Sequence, residues 1–335
     1  MKKVGFIQVG TGRFGQGWLR NLTVTPGVEV KALVDIDEKA VKSTAERNGY
    51  DSGICHTSLK SALKNAEADA VLCVTPPNRH RQTAVTAMRA GLHVLTEKPM
   101  ADTPANCRTI VETAKEEKRI CAVSQQYRYD SAAWTMAKII REGRIGRIGQ
   151  IKVDFFMGHP VMGFRQQMAH PLLNDMSIHH FDLIRFVTGA DPLSVIGSSW
   201  RPSWSHFRGD CSCSMVFKMT GGVNVIYNGS WCAQGRFCDW AGNWLVEGEK
   251  GTLRYDNGRV FVSSVGKGYK EKSTREITPK PPRRGGQFHI LYAFLRAVRG
   301  GPPPETRVED NINSIGMVFA AVKAARTERR VKIEA

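Results

Sequence analysis

The sequence predicts an α/β protein of two domains: a doubly wound parallel sheet first, then an α+β domain with a large, mostly antiparallel open sheet. Its 335 residues suit two domains of ordinary size. Through the first 125 residues, short buried strands alternate with helices, which is typical of a parallel sheet. Beyond them, strand-like runs follow one another across turns, as in an antiparallel sheet. We therefore predict domains over residues 1–125 and 126–335.

The elements of the first domain are short apolar runs and amphipathic segments closed by turn residues. The short crossovers between its strands imply parallel pairing. Thr103 and Pro104 mark the start of its last helix, as N-cap and first-turn residue. The predicted strands are Val4–Val9, Val28–Asp35, Ala70–Val74, His93–Thr96 and Ile120–Ser124, and the predicted helices are Phe14–Asn21, Glu38–Asn48, Ser58–Asn65, Arg79–Ala90 and Thr103–Lys118.

The second domain contains most of its strands between two sets of helices. Glycines stop two of the helices, and turn signals such as Gly221-Gly222 separate several strands. The predicted helices are Ala132–Glu142, Asn174–Thr188, Gln287–Arg299 and Asp310–Thr327. The predicted strands are Ile148–Met157, Leu193–Trp200, Cys211–Met219, Val223–Trp231, Asn243–Glu247, Thr252–Asp256 and Arg259–Ser263.

Composition and charge exclude several classes of protein. The chain is 41% hydrophobic and 24% charged, as ordinary globular proteins are, and no run approaches the roughly 18 apolar residues of a membrane helix. Much of the net charge of +17 lies in residues 267–284, which we interpret as a solvated loop. No zinc-finger or helix-turn-helix signature accompanies it. We therefore expect neither a membrane nor a nucleic-acid partner.

The eight cysteines show no C-x-x-C pair and no regular spacing. In a chain of this length such cysteines are typical of reduced, mostly buried thiols. The sequence therefore favours a cytoplasmic protein.

A glycine-rich turn follows the first predicted strand. Its six residues, Gly10, Thr11, Gly12, Arg13, Phe14 and Gly15, match G-x-G-x-x-G, and Asp35 lies 20 residues after the last glycine. Gly10 permits the tight turn, Gly12 lets the backbone approach a pyrophosphate, and Gly15 allows close packing of helix on strand. A turn with no ligand is the alternative, but the strand, helix and acidic residue together favour a dinucleotide-binding Rossmann fold. Because Asp35 would accept the ribose hydroxyls and repel a 2′-phosphate, we predict NAD rather than NADP.

Polar residues also follow two later strands. Glu97-Lys98-Pro99 comes directly after His93–Thr96, and Thr75-Pro76 comes after Ala70–Val74. Open α/β sheets bind ligands at the carboxyl ends of their strands. A lysine beside a proline is, however, equally compatible with an ordinary surface.

The predicted helix Asn174–Thr188 carries a polar stripe. Asp175, His179 and Asp182 fall at i, i+4 and i+7 among apolar residues, and such groups are costly to bury unless they are paired or used. The alternative is a purely structural pair, in which an Asp and a His satisfy each other's hydrogen-bonding groups. A zinc site that adds His170 and His180 lacks the spacing of a dedicated metal centre. We predict no metal.

Several stretches together resemble the glucose–fructose oxidoreductase / inositol dehydrogenase / rhizopine catabolism family. They are GTGRFG, VDID, ADAVLCVTPPNRHRQTAVTAMRAGLHVLTEKPMADT, QYRYD and NDMSIHHFD, and the resemblance spans residues 1–190. VEGEKGTLRY extends it more loosely into the later sheet. The resemblance implies oxidoreduction of a secondary hydroxyl of a sugar, cyclitol or related polyol with NAD(P), and association as a homodimer or homotetramer through the C-terminal sheet.

The resemblance also implies roles for individual residues. Lys98 matches the family's active-site lysine, Asp175 and His179 match its Asp-x-x-x-His pattern, and Arg128 matches a cofactor-contacting arginine, with Ser131 in place of the usual proline. The bond between Lys98 and Pro99 is expected to be cis. The other cofactor contacts that the resemblance implies are Thr75, Pro76, Asn78, His80, Glu97 and Lys98 itself.

The chemistry of these groups leaves alternatives open. His179 is the natural base near neutral pH, oriented by Asp175 or Asp182, while Lys98 would stabilise developing negative charge or itself take the proton. The tryptophans of the later strands could bind substrate or form an interface. NAD-dependent cleavage of a glycoside through transient oxidation and a non-catalytic NAD sensor are the alternative functions.

Overall fold

The computed structural model describes residues 3–159, 163–235 and 237–334 and divides the chain into two compact units. The first unit comprises residues 1–125 and 290–312, and the second comprises 126–289 and 313–335. Residues 290–312, which the sequence analysis assigns to the second domain, belong to the first unit. The ring of Phe294 lies 6.0 Å from that of Phe6, and the Val123 N–H donates to the Thr306 carbonyl at 2.9 Å. Such a return of the chain leaves no local pattern in the sequence.

The first unit is built on a six-stranded parallel sheet in the order β3-β2-β1-β4-β5-β6. Its strands are β1 (Val4–Val9), β2 (Val28–Val34), β3 (Cys55–His56), β4 (Ala70–Cys73), β5 (His93–Thr96) and β6 (Cys121–Val123). The strand order reverses between β1 and β4, which is where doubly wound sheets bind ligands. The predicted parallel sheet is confirmed. Only the two-residue β3 was missed, because so short a strand carries no periodicity.

Five helices connect these strands: α1 (Arg13–Val24), α2 (Glu38–Arg47), α3 (Leu59–Asn65), α4 (Pro77–Arg89) and α5 (Pro104–Glu116). The Thr103 hydroxyl accepts from the Asn106 N–H at 3.2 Å, so the predicted N-cap of α5 is confirmed. Helix α1 begins directly after the glycine-rich turn, at the carboxyl end of β1.

The second unit contains a nine-stranded sheet in the order β14-β13-β12-β11-β7-β10-β9-β8-β15. All its neighbours are antiparallel except β7 and β10, so the predicted mostly antiparallel sheet is confirmed. The strands are β7 (Ile148–Phe156), β8 (Pro192–Trp200), β9 (Ser212–Met219), β10 (Asn224–Ser230), β11 (Asn243–Gly248), β12 (Gly251–Asp256), β13 (Arg259–Val265), β14 (Glu271–Ile277) and β15 (Val331–Lys332).

Strand β14 corrects the interpretation of residues 267–284 as a loop. Six of its seven residues are exposed, and they pair with β13 through backbone hydrogen bonds. Backbone pairing needs no apolar side chain at an edge of a sheet, which is why composition alone suggested a solvated loop.

Helices cover one face of this sheet. They are α6 (Ser131–Arg141) and α7 (Ser177–Thr188). Two further helices, α8 (Gly286–Val298) and α9 (Val308–Thr327), lie between β14 and β15 in the sequence. Phe181 of α7 meets Phe217 and Tyr227 of the sheet edge-on, at ring distances of 4.8 and 5.1 Å. Helix α7 is therefore a core element, and its polar residues require partners. Within the described part of the chain, none of the helices is both long enough and apolar enough to cross a membrane.

Candidate active site

The glycine-rich turn is closely packed at its first and last glycine. Gly10 has φ of +99°, and a Cβ there would lie 2.4 Å from the Val74 carbonyl oxygen. A Cβ at Gly15 would lie 2.2 Å from the Gly10 carbonyl oxygen. Any side chain at either position would displace backbone, so both glycines are required by the protein itself.

Gly12 differs from these two glycines, because a Cβ there would meet nothing within 4 Å. None of the described side chains caps α1, and its first turn contains no acidic residue. The exposed N–H groups and positive end of α1 therefore face open space beside Gly12, as an anion such as a pyrophosphate requires. The residues present fit a dinucleotide at this turn.

A buried amide holds the turn in place. The Nε2 of Gln8, on β1, donates to the carbonyls of Gly10 and Gly15 at 3.0 and 2.8 Å. Gln8 was not among the predicted site residues, although a polar side chain within an otherwise apolar strand is a visible signal in the sequence. The side chain of Gln8 thus stabilises the shape of the turn through these two hydrogen bonds.

Asp35 lies one residue beyond β2, beside the turn. Its Oδ2 accepts from both the N–H and the hydroxyl of Thr11, each at 2.8 Å. Ile36, which follows it, is 94% exposed. A carboxylate next to an apolar platform suits a ribose and the flat base attached to it, and the contact of Asp35 with the cofactor stays a prediction.

His80, one of the predicted cofactor contacts, has two backbone carbonyls as partners. Its side chain is fully buried, with Nδ1 2.8 Å from the Pro99 carbonyl oxygen and Nε2 2.7 Å from that of Thr75. Burial lowers the pKa of His80, although the two carbonyls oppose this effect. His80 therefore links the loops after β4 and β5, and its contact with the cofactor stays a prediction. Thr75 is partly buried on that loop, whereas Pro76 and Asn78 are exposed.

Glu97 is held from two sides in the loop after β5. Its Oε1 accepts from the Trp18 indole N–H at 2.7 Å, and its Oε2 accepts from the Lys98 N–H at 3.0 Å. Glu97 is 7% exposed and Trp18 is fully buried. The sequence analysis did not anticipate Trp18, because its partner lies 79 residues away. The Lys98–Pro99 bond is cis, as the resemblance implies.

In the second unit, Asp175 lies on a single π-helical turn, Leu172–Met176, that precedes α7. The predicted helix Asn174–Thr188 is therefore an α-helix only from Ser177, and the expected i, i+4 and i+7 stripe passes through a change of helical period. Arg165 donates to Asp175 with an Nε–Oδ2 distance of 2.6 Å. The carboxylate of Asp175 is therefore paired with a cation from outside the helix.

Asp182 has a different arginine as its partner. The Arg128 guanidinium donates Nε and Nη2 to the two carboxylate oxygens, both at 2.6 Å, and Ser314 donates to Oδ1 at 2.7 Å. The side chains of Arg128 and Asp182 are 5% and 2% exposed. Asp182 is thus part of a buried ion pair, and its role as the alternative partner of His179 stays a prediction. The cofactor contact of Arg128 stays a prediction.

His179 stacks face to face on Tyr127. The ring centroids are 4.1 Å apart and the planes differ by 11°. His179 is 5% exposed. Tyr127 is a residue that the sequence analysis missed, although it belongs to the QYRYD stretch. Burial raises the pKa of Tyr127, so its phenol stays protonated at neutral pH.

The neighbouring histidine has a structural role. His180 is fully buried, with Nδ1 2.9 Å from the Tyr227 hydroxyl and Nε2 2.9 Å from the Trp240 carbonyl oxygen. Because that carbonyl only accepts, Nε2 carries the proton and Tyr227 donates to Nδ1. Ser177 in turn donates to Tyr227 at 3.0 Å.

These contacts bear on the zinc alternative. His180 is committed to the buried network, and Nδ1 of His170 lies 3.1 Å from the Ser199 hydroxyl. Among residues 3–159, 163–235 and 237–334, no three His, Cys, Asp or Glu side chains are grouped closely enough to hold a metal ion.

The buried network predicts an acid-sensitive unit. Burial lowers the pKa of His180 from its ordinary value to about 4. Between about pH 6.5 and pH 4, the unfolded chain binds a proton here that the folded chain does not bind, so stability falls as the pH falls through this window, by about 3 kcal/mol in total. Urea unfolding followed at several pH values measures this slope. It should be flatter in His180→Gln, and equal slopes in both proteins would contradict the assignment.

Comparison with known proteins identifies the chain. Two protein-family models match the chain. The family model described as an oxidoreductase family with an NAD-binding Rossmann fold matches residues 3–125, and that of the GFO/IDH/MocA C-terminal domain matches residues 133–254. Inositol 2-dehydrogenase 1 of Paenarthrobacter aurescens is 32% identical, over 97% of this chain and 95% of the relative. The 1,5-anhydro-D-fructose reductase of Ensifer adhaerens is 25% identical, over 97% of each chain.

The fold is shared with a solved oxidoreductase of Agrobacterium radiobacter, crystallised with NAD⁺, L-tartaric acid and magnesium. The two chains superpose with a TM-score of 0.89 at 19% identity, and the match covers 99% of each. The present chain belongs to the Gfo/Idh/MocA family of oxidoreductases, and its first unit is the NAD-binding Rossmann fold of that family.

Proposed function

We propose that the protein oxidises a secondary hydroxyl of a sugar, cyclitol or related polyol with NAD, and that His179 takes the hydroxyl proton. The observation that carries this assignment is the pairing of both neighbouring carboxylates. Asp175 is bound to Arg165 and Asp182 to Arg128. An arginine partner stabilises the negative form of a carboxylate, so neither is suited to hold a proton. An imidazole is suited to that task near neutral pH.

The other residues have supporting roles in this proposal. Bound NAD supplies the hydride acceptor. The turn of Gly10, Gly12 and Gly15 would hold the pyrophosphate against the start of α1, and Asp35 would hold the ribose. Lys98 follows β5 at the carboxyl edge of the sheet, where its ammonium would stabilise negative charge on the reacting oxygen. Asp175 would favour the charged form of the base after proton transfer.

A panel of polyols and sugars, assayed for NADH formation, tests the function. Net NADH formation with one of these compounds, absent without it, supports a dehydrogenase. The curated relatives named for inositol and for 1,5-anhydro-D-fructose make a cyclitol and a reduced sugar the first candidates. Substrate turnover without net NADH, or NAD binding without turnover of any compound, would contradict the proposal.

The choice of cofactor follows from Asp35. We expect NAD to bind well ahead of NADP, because a 2′-phosphate would meet the Asp35 carboxylate at close range. Fluorescence titration of both cofactors measures the ratio. The double variant Asp35→Ser/Ile36→Arg should narrow or reverse the preference for NAD over NADP. Asp37→Ser is the matched control, because it removes a carboxylate only two residues away. Equal affinity of the wild type for both cofactors would refute the role of Asp35.

We also propose that the protein associates as a homodimer or homotetramer through the outer face of the nine-stranded sheet. Large apolar side chains are exposed there, including Phe156 at 41%, Trp200 at 47% and Val216 at 36%. Alternate residues of β7, Ile151, Val153 and Phe155, are instead fully buried on the helix-covered face. An uncovered apolar face of this kind favours association. Light scattering in solution checks it, and a monomeric mass would contradict it.

A further inference from the structure

The stack of Tyr127 on His179 is the feature that the proposed mechanism does not use. The two rings are nearly parallel, with centroids 4.1 Å apart. A ring that covers the face of an imidazole leaves the directions of both ring nitrogens, which lie in the imidazole plane, open for hydrogen bonds. The stack therefore constrains orientation without taking a hydrogen-bonding position.

Tyr127 is itself held firmly against α7. It belongs to a short 3₁₀ helix, Gln126–Tyr129, whose next two residues also contact α7. Arg128 forms the buried ion pair with Asp182, and Tyr129 meets Phe186 edge-on at 6.3 Å. Three successive residues of the short helix thus contact positions 179, 182 and 186, which form one stripe of α7. Tyr127 cannot shift along α7 unless the buried ion pair is broken.

The angle of a histidine ring about its last side-chain bond is weakly determined by the residue alone. That torsion joins a tetrahedral and a planar carbon, and its energy minima are broad. Proton transfer, in contrast, requires the accepting nitrogen to point at the hydroxyl. Something other than the backbone of α7 has to set the plane of the ring.

We propose that Tyr127 is a positioning residue that sets the plane of the His179 imidazole through the face of its phenol ring. This inference rests on the proposed function, in which His179 takes the substrate proton. The hydroxyl of Tyr127 has no part in it, since the stack involves the ring alone. Phenylalanine at position 127 should therefore preserve the orientation of His179, whereas a flexible aliphatic side chain of similar bulk should not.

Three variants test the role: Tyr127→Phe, Tyr127→Leu and Tyr127→Met. We expect Tyr127→Leu to lower kcat by a factor on the order of 10–10², as misplaced reacting groups do, with the KM for NAD within about twofold of the wild type. Tyr127→Phe should retain kcat within about twofold. Tyr127→Met provides a second non-aromatic side chain if the leucine variant does not fold, as judged by thermal unfolding.

A spectroscopic measurement makes the test independent of activity. In protein labelled with ¹³C-histidine, the stacked phenol shields the ring protons of His179, so their signals should move downfield in Tyr127→Leu and stay in place in Tyr127→Phe. The chain offers an internal reference, because Tyr129 stacks on His289 at 3.9 Å and 11°. The His289 signals should stay in place in all three variants of Tyr127.

Each outcome decides the question. His179 signals that do not move in Tyr127→Leu or Tyr127→Met would show that no stack forms. The His179 signals could instead move in Tyr127→Leu while kcat is retained. If His179→Ala nevertheless abolishes turnover, this result would overturn the positioning role of Tyr127 and leave the proposed function intact. An active His179→Ala would instead remove the proposed base, and the positioning role with it.

Discussion

Replacing His179 by alanine is expected to lower kcat by a factor on the order of 10²–10⁴, the usual consequence of losing a proton-transfer group. The affinity for NAD should change far less, because the contacts proposed for the pyrophosphate and ribose are made by Gly12 and Asp35. The measurement is steady-state NADH formation with a confirmed substrate, together with a titration of NAD binding.

Two comparisons make the test of His179 specific. His180→Gln alters the adjacent histidine, which belongs to the buried network with Tyr227, and should lower stability while kcat stays near that of the wild type. Lys98→Ala should also lower kcat strongly. If Lys98 and His179 act together on one hydroxyl, the double variant should lose much less than the product of the two single losses. Near-normal turnover in His179→Ala would remove this residue as the base.

Replacing Arg128 by methionine is expected to lower the free energy of unfolding by about 3–5 kcal/mol, the cost of leaving a buried carboxylate without its cationic partner. The pair of Arg128 and Asp182 is among the most buried charges in the chain, at 5% and 2% exposure. Urea unfolding followed by a probe in the second unit measures the loss, since two units need not unfold together.

The double variant Arg128→Met/Asp182→Leu is the control for charge. When both partners are replaced by apolar side chains of similar size, most of the lost stability should return, because no uncompensated charge stays buried. A single variant as stable as the wild type would contradict the importance of the pair. Titration of NAD with the folded single variant also tests the cofactor contact that family resemblance implies for Arg128.

The parts of the site that could be predicted are those set by local chain geometry. Gly10 has a positive φ, a side chain at Gly15 would strike the backbone of Gly10 five residues earlier, and Asp35 follows the next strand at a spacing fixed by one βαβ unit. The strands of both sheets were predictable because burial imposes a pattern on the sequence itself. Three strands were not predicted: the pairing of β14 is carried by backbone at an exposed edge, and β3 and β15 are only two residues long.

The parts that escaped prediction depend on partners distant in sequence or on a change of helical period. Arg165 and Asp175 are only ten residues apart, but Asp175 lies on a π-helical turn before α7, so the helical spacing gave no indication of Arg165 as a partner. Trp18 and Glu97 form a hydrogen bond in the packed core of the first unit. The sequence around either residue gives no indication of its partner. Tyr127 belongs to the QYRYD stretch, but that stretch does not indicate that the Tyr127 ring stacks on His179.

The nine-stranded sheet leaves two edges whose backbone groups could recruit a strand from another molecule and begin fibrous aggregation. One edge is β14, whose exposed residues include Lys272 and Arg275, and the other is β15, only two residues long. A charged strand and a very short strand are both poor templates for further pairing. Both edges of the sheet therefore resist indiscriminate growth by strand addition.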